Sequence, residues 1–146
     1  MGVILGDQVV RIHADNKGMA KKMTVSNNIE LKDVIDRSYS FVGDKKPGLA
    51  LKYTYTTKYG DTGSKIETDI MIFFSGDKKE IDEIMNTWKE KKALNDKFVL
   101  PISNRVLEVG MLQAIAIADQ LKMMIPVKLP KFVKPKALTK DKVKAG

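Results

Sequence analysis

With 146 residues, 43% of them hydrophobic and 30% charged, the chain has the size and composition of one globular domain rather than a disordered segment. It has no cysteine, which excludes disulfides, thiolate nucleophiles and Cys-ligated zinc. The net charge of +8 is unevenly placed: residues 126–146 carry seven lysines against Asp141 alone, so +6 belongs to that tail and +2 to the rest. A basic tail points to nucleic acid, an anionic surface or an acidic protein. The expected organisation is a single domain over 1–125 and a Lys/Pro-rich tail over 126–146.

Val3 to His13 is rich in aliphatic and β-branched residues and reads as a strand, broken near Gly6-Asp7. Asp15 to Gly18 has turn composition. Asn27 with Glu30 resembles a capping box, and Leu31, Val34 and Ile35 fall on one face of a short helix ending near Arg37. Ser38 to Val42 is a short strand candidate, and residues 43–48 read as a turn.

The strongest local signal lies between residues 49 and 74. Leu49, Leu51, Tyr53, Tyr55, Thr57 and Tyr59 alternate with more polar residues, as do Ile66, Thr68, Ile70, Ile72 and Phe74 after the turn at residues 60–63. An antiparallel register pairing Tyr59 with Ser64 also pairs Tyr55 with Thr68, Tyr53 with Ile70, Leu51 with Ile72 and Leu49 with Phe74. All those residues then share one face, and a slip of one residue would set Leu and Ile against Lys and Asp.

Asp77 with Glu80 predicts a capped helix start, followed by Ile81, Ile84, Met85 and Trp88 at helical spacing to about Leu94-Asn95. A second helix is expected from Ile102 to about Met124, with Pro101 near its start and Pro126 as its stop. Arg105, Glu108, Gln113 and Asp119 argue against a membrane span there. Gly110, Ala114 and Ala118 recur every fourth residue and form a smooth stripe. Packing against the protein's own sheet is the plainer reading of that stripe, and an oligomer interface the sharper one. The fold class these elements predict is α+β: an antiparallel meander of three to five strands covered on one face by two C-terminal helices.

Chemistry is sparse. His13 is the lone histidine, at the end of a strand candidate, and no nucleophile elbow or phosphate-binding glycine loop occurs. Glu67 and Asp69 point to one face of a strand, the pattern a magnesium-dependent nuclease would use, but cross-strand pairing on a solvated face explains them as well. No catalytic residue, metal site or cofactor is expected.

Two features suit nucleic acid. Lys128, Lys131 and Lys134 recur every third residue with Lys136 close behind, a ridge if the Pro-rich tail is extended. Lys52, Lys58 and Phe73 share one sheet face where an unpaired base could stack. The leading expectation is therefore a non-catalytic, cytoplasmic module for single-stranded DNA or RNA with little sequence preference. The alternative is a structural or adaptor subunit that binds a protein partner, or a second copy, through the helix stripe or the tail. A metal-dependent nuclease comes third.

Overall fold

A computed structural model describes residues 2–18, 24–41, 43–60, 62–124 and 126. Six strands and two helices follow in chain order: β1 (Val3–Asp15), β2 (Val25–Asp36), β3 (Tyr39–Phe41), β4 (Asp44–Lys46), β5 (Gly48–Tyr59), β6 (Ser64–Ser75), α1 (Lys78–Lys91) and α2 (Asp96–Leu121). The main sheet is antiparallel with order β1-β6-β5-β2, and β3 and β4 form a separate small hairpin. The fold is α+β, with two C-terminal helices on one face of the sheet.

The β5–β6 hairpin has the register its alternation predicts, with Tyr59 opposite Ser64, Tyr55 opposite Thr68 and Leu49 opposite Phe74. Leu49, Leu51, Tyr55, Ile66, Ile70 and Ile72 are fully buried beneath the helices. Ile84 of α1 and Ile102 and Val106 of α2 close the same core. At about 25 cal/mol per Å² of apolar surface, this face supplies the dominant stabilisation of the domain.

The strand order differs from a meander. β1 returns to pair with β6 and β2 pairs with β5, which makes a four-stranded Greek key. Residues 27–36 belong to strand β2, not to a helix. Asn27, Ile29 and Leu31 face the helices at a period of two, and an irregularity between Leu31 and Asp33 inserts Lys32 before Val34 returns to that face. The extra residue stretches the spacing of Leu31, Val34 and Ile35 into one that mimics a helix.

Asp77 caps α1 as expected: its side chain accepts the Glu80 N–H at 2.9 Å, and the Asp77 N–H reaches back to the Glu80 carboxylate at 3.2 Å. Lys92, in the left-handed conformation (φ 53°), ends the helix and donates its N–H to the Trp88 carbonyl at 2.9 Å.

α2 begins six residues earlier than expected and holds Pro101 inside its second turn. It ends at Leu121, before Pro126, because Lys122 also turns left-handed and the Met123 N–H returns to the Ala118 carbonyl at 2.8 Å. Among the described residues, α2 alone is long and apolar enough by length and composition to cross a bilayer. Here 33% of its most apolar stretch is buried within the fold.

Candidate functional site

The sequence-predicted residues divide cleanly by face. Gly110, Ala114 and Ala118 are buried under the sheet of their own chain, and a Cβ on Gly110 would stand 2.4 Å from the Tyr55 ring. The smooth stripe therefore lets α2 approach its own β5. This contact occupies the surface an oligomer would need from those three residues.

Lys52, Lys58 and Phe73 lie on the opposite, helix-free face, but not as an open platform. Phe73 meets Tyr39 edge-on at 6.3 Å and carries the Arg37 guanidinium over its ring at 5.7 Å. Lys52 sits opposite Asp33 of β2 and contributes positive charge at Asp69. Lys58 is exposed opposite Ser26 and Lys65. The tail lysines Lys128, Lys131, Lys134 and Lys136 fall outside the described residues.

Glu67 and Asp69 lie opposite Thr56 and Thr54, as their alternation predicts. Sequence reasoning missed the residue that joins them. Arg11 of β1 donates from Nε to Asp69 at 2.8 Å and from Nη2 to Glu67 at 3.1 Å, while the Thr54 hydroxyl donates to the other Asp69 oxygen at 2.8 Å. Burial opposes the Asp69 charge. The Arg11 and Thr54 hydrogen bonds, with the charges of Arg11 and Lys52, outweigh it and hold this carboxyl below its ordinary range. The carboxylate pair is thus bridged by one guanidinium, with Lys65 Nζ 3.9 Å from Glu67 supplying a second positive charge, which makes it a clamp between strands and a poor host for a divalent cation. Among the described residues no group of three or more His, Asp or Glu side chains gathers in a metal-binding arrangement. His13 is exposed, with its Nε2 3.0 Å from Asp15.

The most distinctive concavity involves none of these positions. A groove of about 700 Å³ runs where the free edge of β2 meets the junction of α1 and α2. Ile29 and Leu31 of β2, Tyr53 of β5, Trp88 near the end of α1, Leu94 between the two helices and Val99 of α2 form its apolar walls. Each is placed by simple geometry. The even spacing of Ile29 and Leu31 turns both to the helix side, and the left-handed Lys92 turns the chain so that Leu94 and Val99 close the far wall. Burial drives the Tyr53 phenol well up from its ordinary pKa, against a hydrogen bond with Ser103 that pulls it down, so the floor is uncharged. Lys92 sits at the wall with its ammonium 5.0 Å over the Trp88 ring.

A second concavity of about 690 Å³ lies between the start of β1, β4 and the start of α1, bordered by Lys45, Lys46 and Lys78. It has no aromatic residue in its lining. The groove beside β2 sets aromatic and aliphatic walls among Glu30, Lys32, Asp33, Lys92 and Ser103, a lining that can take an apolar side chain while the polar groups fix its orientation.

No protein-family model matches the chain, and no curated protein does. The fold is shared with a solved structure. That structure is the Mycobacterium tuberculosis Rv1957 SecB-like chaperone in complex with a ChAD peptide from the Rv1956 HigA1 antitoxin. The superposition has a TM-score of 0.51 at 10% identity and covers 91% of this chain and 86% of that one. At that identity the likeness concerns the fold.

Proposed function

We propose that the protein is a non-catalytic binding module that holds a segment of another polypeptide in the groove beside β2. The observation that carries this reading is an aromatic-walled groove running along a strand edge that is unpaired among the described residues. The similar chaperone structure supports it, since that protein is seen bound to a peptide. Nucleic acid draws less support: Phe73 is already covered by Tyr39 and Arg37, and Lys52 faces Asp33 and Asp69. That expectation now rests on the tail lysines.

Trp88 is the sole tryptophan and lines the groove, so its emission reports occupancy directly. Titration with a reduced, carboxymethylated and permanently unfolded protein should change Trp88 fluorescence saturably. Val99→Asp alters an exposed helical position and should leave stability within about 0.5 kcal/mol. It should also weaken binding about tenfold, by setting a charge against an apolar ligand. No saturable change with the parent protein would remove the reading.

A further inference from the structure

The two edges of the main sheet are differently protected. Along its length β1 has two register irregularities and carries Arg11. The stretch of β2 from Val25 to Leu31 pairs regularly with β5 and contains no proline, no lysine and no bulge. Its regularity ends at the irregularity around Lys32, where the Asp33 carboxylate accepts the Val34 N–H at 2.8 Å. A regular edge without proline, lysine or a bulge is a template on which another strand can pair.

Such a strand would send alternate side chains into the groove, about 7 Å apart, toward the surface lined by Ile29, Leu31, Trp88 and Val99. Of the charged residues in that lining, Asp33 lies opposite Lys52 and turns its carboxylate onto the Val34 N–H. Lys32 is paired with Glu30 at 3.0 Å and Lys97 with Glu83 at 3.1 Å. Among the described residues, Lys89, Lys91 and Lys92 at the end of α1 have no carboxylate partner, and Lys92 borders the groove itself.

Resting on the peptide-binding reading above, we infer that the groove takes an extended segment that adds to β2 at Val25–Leu31, with an aromatic or branched apolar side chain against Trp88 and an acidic residue on Lys92. Main-chain pairing supplies affinity in this mode, and pockets for alternate side chains supply selectivity. The carboxylate would draw the Lys92 ammonium off the Trp88 ring and leave that face to the apolar side chain. The protein's own 126–146 segment, at +6, has the wrong sign for this wall.

The test uses the full chain and four short fluorescein-labelled peptides of equal length. One has a central phenylalanine followed by two aspartates. A second replaces the aspartates with serines, a third replaces them with lysines, and a fourth is the acidic peptide N-methylated at alternate amides. At low ionic strength the acidic peptide should bind about tenfold tighter than the lysine peptide. The N-methylated one should lose about tenfold by losing its main-chain donors.

Asp and Asn tolerate the left-handed conformation of residue 92, so Lys92→Asp and Lys92→Asn keep the turn. Lys92→Asn should abolish the charge preference and Lys92→Asp should invert it, with the serine peptide unchanged within about twofold. Equal binding of acidic and lysine peptides, unaltered at Lys92, overturns the inference while leaving the peptide-binding reading standing. Undiminished binding of the N-methylated peptide overturns strand addition. Binding of none of the peptides, nor of the unfolded protein, removes both readings. A concentration-dependent dimer that the acidic peptide cannot dissociate would assign the edge to a second copy and overturn the inference as well.

Discussion

β1 and β2 are edge strands of nearly equal length, yet one is fastened and the other is open. β1 is tied across to β6 through Arg11 to Asp69 and Glu67, and tied to α2 through Asp7, which accepts from Arg105 Nε at 2.7 Å. Just past its end, Asn16 donates to the Leu121 carbonyl at 2.8 Å. On β2 the corresponding charges, Glu30 and Lys32, pair with each other within the strand. The contrast shows how a sheet can protect one edge and keep the other available on the same core. Polar clamps spanning more than fifty residues hold β1, and among the described residues β2 has none of that span.

Both edges share a floor, and breaking it should give the largest effect. Tyr55 is fully buried between β5 and α2, so Tyr55→Ala should cost about 3–5 kcal/mol in denaturant unfolding. Gly110→Ala should follow. Helix propensity alone favours alanine by about 1 kcal/mol. The added Cβ meets the Tyr55 ring, which cannot retreat from a packed core, and the net change should be a loss of about 1–3 kcal/mol. A gain in stability would show that α2 can lift from β5, and the floor would then not be rigid.

Titration separates the edges from the floor. Burial pushes the Tyr55 phenol up to about 12 and raises Tyr53 as well. A group raised in the folded state contributes stability that is full below its unfolded value, 10.0, and lost as pH rises through about 12. The midpoint of unfolding should therefore fall steeply on the alkaline side, and Tyr55→Phe should flatten that fall.

Asp69 has the opposite sign. Its folded pKa is lowered, so its contribution is present above the ordinary value of 3.8 and lost as pH drops through the folded value. Asp69→Asn should flatten the acid limb slightly. Hydrogen exchange should show the loosening at β1 and not at β2, the smallest effect here and the one most specific to the comparison.

The sequence made the β5–β6 hairpin legible to the residue, because two independent alternations had to agree on one register. The Asp77–Glu80 cap was equally legible, since both partners lie within one helical turn. β2 was not. A single inserted residue at Lys32 erased the period of two and left a spacing that reads as helix. The Greek-key order was hidden too, and with it the partner of Glu67 and Asp69, because Arg11 comes from a strand more than fifty residues away. The groove escaped for the same reason. Its lining comes from β2, β5, α1 and α2, and Trp88 and Leu94 look like ordinary core until β2 is known to be an edge. Lys52, Lys58 and Phe73 were placed on the correct face, but the Tyr39 and Arg37 contacts that cover Phe73 have no sequence signature.

The strand order also has a consequence in time. β1 finds its partner only when β6, at residues 64–75, has emerged, and β2 waits for β5 at residues 48–59. During synthesis the first half of the chain must hold two long apolar-faced segments apart without pairing them to each other. The hairpin that recruits them both is the last part of the sheet to leave the ribosome. Contacts of such long sequence separation make folding slow, on the order of milliseconds to seconds for sheet-rich domains. A nascent chain of which only the residues before Gly48 have emerged would expose β1 and β2 together, the interval in which misassociation is most costly.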